Sequence, residues 1–278
     1  MKRNTCSVLN VKIDNVTKSE ALEKLNELMN QKTRSIIITP NVEFLIFAQK
    51  DPEFMKILND ESKLNLADGY GVLWSAKFLS LKLPKETILR VPLAIFIWIF
   101  TLIFLPIFVR LKKQPLSTKI SGSDFIWDIA KFAAKNNHRL FLLGGAPTIA
   151  ERTALKLQTD ILDLRVGGVH SGRAENYEEI IQAVNKSRSD ILLVAFGCPK
   201  QEKWLSQHLG KTCCKIGIGL GGSFDFIVGV QKRAPIWVQN IGFEWLHRFI
   251  NNPSRIKRQI AVPKLAWLTL INKISSSD

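Results

Sequence analysis

The stretch IGIGLGGSFDFIVGVQKRAP, residues 216–235, carries the pattern that decides the fold. Ile216, Ile218 and Leu220 form an apolar, strand-like run that gives way to Gly221 and Gly222, and Phe224-Asp225-Phe226 opens a helix. A strand that stops in glycines before a helix leaves backbone N–H groups pointing outward, a natural seat for a phosphate. Glycine turns after strands are also ordinary architecture, and the spacing here is not the G-x-G-x-x-G dinucleotide fingerprint. Upstream the same grammar recurs. Arg139–Leu143 runs into Gly144-Gly145-Ala146-Pro147, and Asp190–Phe196 runs into Gly197-Cys198-Pro199, each followed by helical periodicity. Strand–glycine–helix repeated in this way predicts an α/β fold, with a parallel sheet and ligands at the carboxyl ends of its strands.

The first ninety residues fit that scheme. Residues 6–13 read as a short strand, and Thr17-x-x-Glu20 is a capping box that opens a helix to about Asn30. Arg34–Thr39 is a strand of the buried type, ending at Pro40-Asn41, and Lys63–Leu66 is a brief strand stopped at Ala67-Asp68-Gly69-Tyr70-Gly71. Two strand ends thus deliver the polar groups Thr39, Asn41 and Asp68.

The charge narrows the partners. An excess of +15 over 278 residues, with pI near 9.8, implies an anionic partner: nucleic acid, anionic lipid or a phosphate-bearing substrate. Cys6, Cys198, Cys213 and Cys214 contain no C-x-x-C pair and the histidines are scattered, which argues against a zinc site and a disulfide framework. The start MKRNTCSVLNVKID lacks the apolar core of a signal peptide, so a reducing, cytosolic compartment is expected.

Val91–Val109 breaks the alternation. Thr101 is its one polar residue, and Arg90, Arg110, Lys112 and Lys113 flank it. As a helix it would extend roughly 28 Å, at the edge of bilayer thickness, but Pro106 should kink or break it. A span would put residues 1–90 and 111–278 on opposite sides of a membrane, unable to share one sheet. We expect a monotopic or re-entrant insert at 84–115, with a buried helix and a true span as the alternatives. The tail, 248–278, interleaves Arg248, Arg255, Lys257, Arg258 and Lys264 with Ile260, Leu265, Trp267 and Leu270. That composition fits a basic appendage on an anionic membrane surface, or a helix packed on the domain with a solvated charged face.

Taken in order, Thr39-Pro40-Asn41, Ala67-Asp68-Gly69-x-Gly71, Ser121-Gly122-Ser123-Asp124 and Phe141-Leu142-Leu143-Gly144-Gly145 resemble the WecG/TagA/CpsF family, glycosyltransferase family 26. Ala195–Trp204, Gly221-Gly222-Ser223-Phe224-Asp225, Arg233-Ala234-Pro235 and Glu244-Trp245-Leu246-x-Arg248 extend the resemblance over nearly the whole chain outside the insert. It implies a Rossmann-like domain of the GT-E type over residues 1–247 and an inverting hexosyltransferase. Such an enzyme moves an N-acetylmannosamine-type sugar from a UDP donor to a polyprenyl-diphosphate-linked N-acetylglucosamine. The setting would be cell-surface polysaccharide or teichoic acid synthesis at the cytoplasmic membrane face, with the protein peripheral or monotopic.

Carried over residue by residue, the resemblance makes Asp68 the base that takes the acceptor proton; its alternative is a helix cap. Thr39, Asn41 and Gln201 would orient sugar hydroxyls and the N-acetyl group, against capping and surface roles. Gly144, Gly145, Gly197, Gly221 and Gly222, with Lys119, are assigned to the nucleotide diphosphate, and Arg248, Arg255 and Arg258 to the diphosphate near the membrane. Asp225 reads as a helix-start residue. No cofactor, metal or nucleic acid is expected, and an oligomer is left open. A non-catalytic nucleotide- or polyprenyl-phosphate-binding scaffold of the same fold is the alternative function. Two departures stand out. Lys119 sits where the family usually has an arginine, and lysine makes no bidentate phosphate fork. The insert, from about Leu83 to Pro115, has no counterpart in the usual pattern.

Overall fold

The computed structural model describes residues 4–111, 115–172, 176–251 and 260–275. At its start, β1 (Thr5–Val8) and β2 (Val11–Asp14) pair antiparallel. The single strand expected over 6–13 is therefore a hairpin. Its turn residues, Leu9 and Asn10, both take positive φ, 47° and 65°, the geometry that matches the twist of a two-residue hairpin. An alternating apolar run gives no sign of that reversal without glycine. Next comes α1 (Lys18–Met29), whose capping box forms as expected, with Thr17 and Glu20 closing on each other.

The main sheet has six parallel strands in the order β4-β3-β8-β7-β5-β6. They are β3 (Ser35–Ile38), β4 (Ser62–Asn65), β5 (Arg139–Gly144), β6 (Arg165–His170), β7 (Ile191–Ala195) and β8 (Ile216–Gly219). The inner strands β3, β5 and β7 each feed two cores, and β8 feeds one. Ile36 and Ile38 of β3, Phe141 and Leu143 of β5, and Leu192 and Val194 of β7 face one side. Ile37, Leu140, Leu142, Leu193, Ile216 and Ile218 face the other. Burial on both faces is why these strands read as continuous apolar runs. β8 alternates isoleucine with glycine for a steric reason: a Cβ on Gly217 would lie 2.4 Å from Leu205. Glycine lets α10 (Lys200–His208) press directly on the strand.

The second core is covered by α1, α7 (Gly122–Lys135), α8 (Ile149–Asp160) and α11 (Ser223–Ile227). The first is covered by α2 (Val42–Ala48), α3 (Pro52–Lys56), α4 (Tyr70–Ser80), α9 (Tyr177–Ser187) and α10.

The apolar segment folds as a helical hairpin, α5 (Thr87–Ile103) and α6 (Leu105–Arg110), broken at Phe104 just before Pro106. Among the described residues no helix is long and apolar enough to cross a membrane. The span is further excluded by topology, because strands from before and after the hairpin share one sheet. One face of the hairpin is fastened to the domain. Trp74 Nε1 donates to Thr101 Oγ1 (3.1 Å), and Lys77 Nζ donates to the carbonyls of Phe108 (2.5 Å) and Leu111 (2.9 Å), closing the end of α6. The other face is bare: Phe96, Phe100, Ile103 and Ile107 are exposed.

After α12 (Ile236–Asn240) and α13 (Glu244–Asn251), the last helix, α14 (Ala261–Ser275), packs on α4, α2 and α5. Leu265, Leu270 and Thr269 are buried there, and Trp98 Nε1 donates to the Ala266 carbonyl at 2.8 Å. Of the two readings of the tail, residues 261–275 follow the packed helix. Trp267, 56% exposed, is left on its outer side.

Candidate active site

In the parallel sheet the carboxyl ends of β4, β3, β8 and β7 lie side by side, so Asp68, Thr39 with Asn41, Gly221 with Gly222, and Gly197 with Gln201 converge on one edge. Two cavities open there. The larger, about 720 Å³, takes polar lining from Asn41, Glu43, Asp68, Lys119, Gln231 and Lys232. Its apolar lining includes Trp74, Leu102, Leu105, Val262 and Leu265 from α4, the hairpin and α14. The smaller, about 100 Å³, is a polar niche lined by Thr39, Ser121, Ser123, Gly197, Gln201, Gly221 and Gly222, among others. Asn41, Glu43, Asp68 and Gln231 line both.

Asp68 is held by its backbone. Its N–H donates to the Pro40 carbonyl at 2.9 Å, and the neighbouring Ala67 carbonyl accepts from Ile120 N at 2.8 Å. The chain then turns through Gly69 at φ 101°, a conformation that strains any residue with a Cβ. Gly69, not Asp68, occupies the cap position of α4. Asp68, one residue before that cap, lines both cavities.

The other expected ligands have mixed positions. Asn41 does cap α2: its Oδ1 accepts from Glu43 N (2.9 Å) and Phe44 N (3.3 Å), so Nδ2 is the polar atom it brings to the cavities. Thr39 is buried, and its hydroxyl donates to the Gly219 carbonyl at 3.3 Å. Gln201 is not surface. It is 1% exposed, and its Oε1 accepts from Gly221 N (2.9 Å) and Gly197 N (3.2 Å). Those two N–H groups therefore do not point outward as expected. A side chain four residues beyond Gly197 reaches back and takes both. Gly222 begins α11, which has only five residues. Gly144 and Gly145 line neither cavity, and their turn is tied to β7 through Gly145 N and the Ala195 carbonyl (3.1 Å). Lys119 lines the larger cavity, with Nζ 5.0 Å from the Tyr70 ring centre. Arg248 lies on α13, and Arg255 and Arg258 fall outside the described residues.

Some residues at the site were not singled out in the sequence. Gln231 and Lys232 immediately precede Arg233-Ala234-Pro235, and Glu43 follows Asn41 by two positions, so each was adjacent to a recognised motif. Arg233 forms a bidentate ion pair with Asp124, with Nη2 2.7 Å from Oδ2. The pair ties the loop after α11 to the start of α7. Burial pushes the Asp124 carboxyl up, but the Arg233 guanidinium, together with the charges of Lys119 and Lys18, holds the group below the usual aspartate range. Arg233 is shifted upward, first by its bond to Asp124 and more weakly by the charges of Glu244 and Asp68. A fixed cation therefore stands near the candidate base. Among the described residues no group of three or more His, Cys, Asp or Glu side chains is placed to hold a metal ion.

Comparison with known proteins shows the family to which the chain is similar. The profile of the glycosyl transferase WecG/TagA/CpsF family matches residues 6–98 and 103–278. The match runs through the hairpin except for 99–102, so the segment expected to lack a counterpart has one over most of its length. A relative from Bacillus subtilis (strain 168) is 27% identical over 242 residues, 87% of this chain and 81% of its own. One from Staphylococcus aureus (strain MRSA252) is 26% identical over 266 residues, 94% of this chain and 91% of its own. Both are named N-acetylglucosaminyldiphosphoundecaprenol N-acetyl-beta-D-mannosaminyltransferase. With the family profile covering nearly its full length, the chain belongs to the WecG/TagA/CpsF family of glycosyl transferases.

Proposed function

We propose that the protein transfers an N-acetylmannosamine-type sugar, with inversion and without a metal, from a UDP donor to N-acetylglucosamine carried on a polyprenyl diphosphate. The observation that carries this reading is the position of Asp68, on the wall shared by a polar niche and an amphipathic cavity. The niche suits the donor sugar. The larger cavity suits an acceptor that is a sugar diphosphate at one end and a hydrocarbon chain at the other. In the reaction, the acceptor hydroxyl attacks the anomeric carbon from the side opposite UDP and its proton passes to the Asp68 carboxylate. The bond between the anomeric carbon and the diphosphate breaks, and UDP leaves with the electron pair. Lys119 and Lys232, which line the larger cavity, would offset the charge that develops on the diphosphate, and Arg248, Arg255 and Arg258 are candidates for the same task.

The bare face of α5–α6 and the exposed Trp237 and Trp267 support a monotopic seat on an anionic membrane, at the cytoplasmic face where such a donor is made. A lipid-bound acceptor would then enter the large cavity from the hairpin side.

The test is UDP release from UDP-N-acetylmannosamine in the presence of a lipid-diphosphate N-acetylglucosamine analogue, using detergent-solubilised protein. Asp68→Asn should lower kcat by about 10²–10⁴-fold with little change in the KM for donor, the usual contribution of a positioned base. Absence of UDP release with any UDP-sugar, or full activity in Asp68→Asn, would sink the catalytic reading and leave the scaffold alternative.

A further inference from the structure

Behind the niche lies a carboxylic acid that the mechanism above does not use. Glu202 is 0% exposed at the first turn of α10. Its Oε1 accepts from Gln201 Nε2 at 2.6 Å, and its Oε2 is buried without a hydrogen-bond partner of good geometry. The pair is fitted to β8: a Cβ on Gly219 would lie 2.7 Å from Glu202 Oε1 and 2.8 Å from Gln201 Nε2. An amide has two different ends, and with its nitrogen committed to Glu202, Gln201 has to offer oxygen to the glycine turns. That oxygen receives Gly197 N from the end of β7 and Gly221 N from the end of β8.

We propose that Glu202 is a positioning residue that acts as a neutral carboxylic acid, fixing the orientation of the Gln201 amide and through it the two glycine turns that floor the niche beside Asp68.

The surroundings explain why neutrality matters. Burial pushes the Glu202 carboxyl up to about 8, against the opposing hydrogen bonds from the Gln201 amide and its own backbone N–H. The Glu43 carboxylate, on the first turn of α2, adds to the rise. On the other sides β3 and β8 present Thr39 and Gly219, which carry no charge, and Asp68 lines the same niche. An ionised Glu202 would be a buried anion facing Glu43, with no cation among the described residues to offset it, and it would draw water into the floor. The turns at 197 and 221 would then lose their common acceptor.

This inference rests on the glycosyltransferase reading for its effect on rate, but not for the clamp itself, so two readouts are needed. The first is amide hydrogen exchange at Gly197 and Gly221 in wild type, Glu202→Gln and Glu202→Leu. Wild type should protect both amides below pH 8 and lose at least about tenfold of that protection, beyond the intrinsic pH effect, above it. Glu202→Gln keeps the acceptor for Gln201 and cannot ionise, so protection should persist to pH 9.5. Glu202→Leu should lose it at every pH. The second readout is kcat/KM for UDP release against pH. Wild type should fall above pH 8, while Glu202→Gln should stay within about threefold of the wild-type optimum and hold that value through pH 9.5. Identical exchange and rate profiles in wild type and Glu202→Gln would overturn the proposal. So would a hundredfold loss of activity in Glu202→Gln at pH 6.5 with its amides still protected, since the acid would then be acting on substrate directly. Protected amides in a protein that releases no UDP would leave the clamp standing and remove the transferase reading alone.

Discussion

Asp68, the proposed base, is held by the backbone of a single turn. Its carboxylate is aimed by three consecutive features: the N–H bond to Pro40, the Ala67 carbonyl tied to Ile120, and the φ of 101° at Gly69. Replacing Gly69 with alanine adds no clash, since nothing lies within 4 Å of the new Cβ, but it imposes a strained φ. Gly69→Ala should therefore cost about 1–3 kcal/mol in denaturant unfolding. Its kcat should fall further than the stability loss alone would suggest, because α4 starts at the next residue. An unchanged midpoint would mean that the turn relaxes to another geometry. Asp68, Thr39 and Asn41 were legible in the sequence because strand ends punctuated by glycine or proline are visible one residue at a time. Gln201 and Glu202 were legible only as a motif. That one takes two glycine amides and the other lies fully buried depends on how α10 sits against β8, which no local pattern records.

The α5–α6 hairpin is the element in which sequence and structure are furthest apart. Composition showed an apolar segment, but not which face was already in use. Thr101, Leu102, Leu105 and Val109 are turned into the domain or the cavity wall, so deleting the segment would destroy the site along with any anchor. A sharper experiment keeps the fold and alters the bare face. Phe96, Phe100, Ile103 and Ile107 changed together to glutamine should leave the unfolding midpoint within a few degrees and move the protein from the vesicle pellet to the supernatant in sedimentation with anionic liposomes. Retention in the pellet would show that the hairpin does not seat the protein. The clasp on α6 invites its own test. Lys77 is 5% exposed, and burial lowers its pKa. Lys77→Met, which keeps the stem and removes the donor, should destabilise by about 1–3 kcal/mol by leaving the carbonyls of Phe108 and Leu111 unpaired.

At the scale of the whole molecule, two carboxyls shape stability in opposite pH ranges. Glu202 rises from an ordinary value of 4.5 to about 8 on folding, so the folded chain keeps a proton that the unfolded chain releases. Its contribution is complete below pH 4.5 and is lost as pH climbs to 8. Asp124 is held low by Arg233 and behaves in reverse: its contribution is present at neutral pH and is lost as pH falls through its depressed folded value. Urea unfolding from pH 3 to 9 should show a fall on each side. Glu202→Gln should flatten the alkaline fall, and Asp124→Asn should remove part of the acid one. An alkaline limb unchanged in Glu202→Gln would show that the carboxyl ionises at its ordinary value. The α/β class was readable from the repeated strand–glycine–helix runs. The strand order was not, because it is set by which strands pair across long stretches of chain.

That order has a consequence for how the protein comes into being. β3 is sandwiched between β4 and β8, and Thr39 bonds to Gly219 across a separation of 180 residues. During synthesis, the first strands and the greasy hairpin emerge long before the strand that completes the sheet between them. For most of the ribosome's transit the chain carries an open sheet edge and an uncovered apolar helix pair, the conditions under which large parallel-sheet proteins fold slowly and associate wrongly. A bilayer near the ribosome would shelter the hairpin during that wait. The surface proposed to seat the finished protein would then also act as its folding partner.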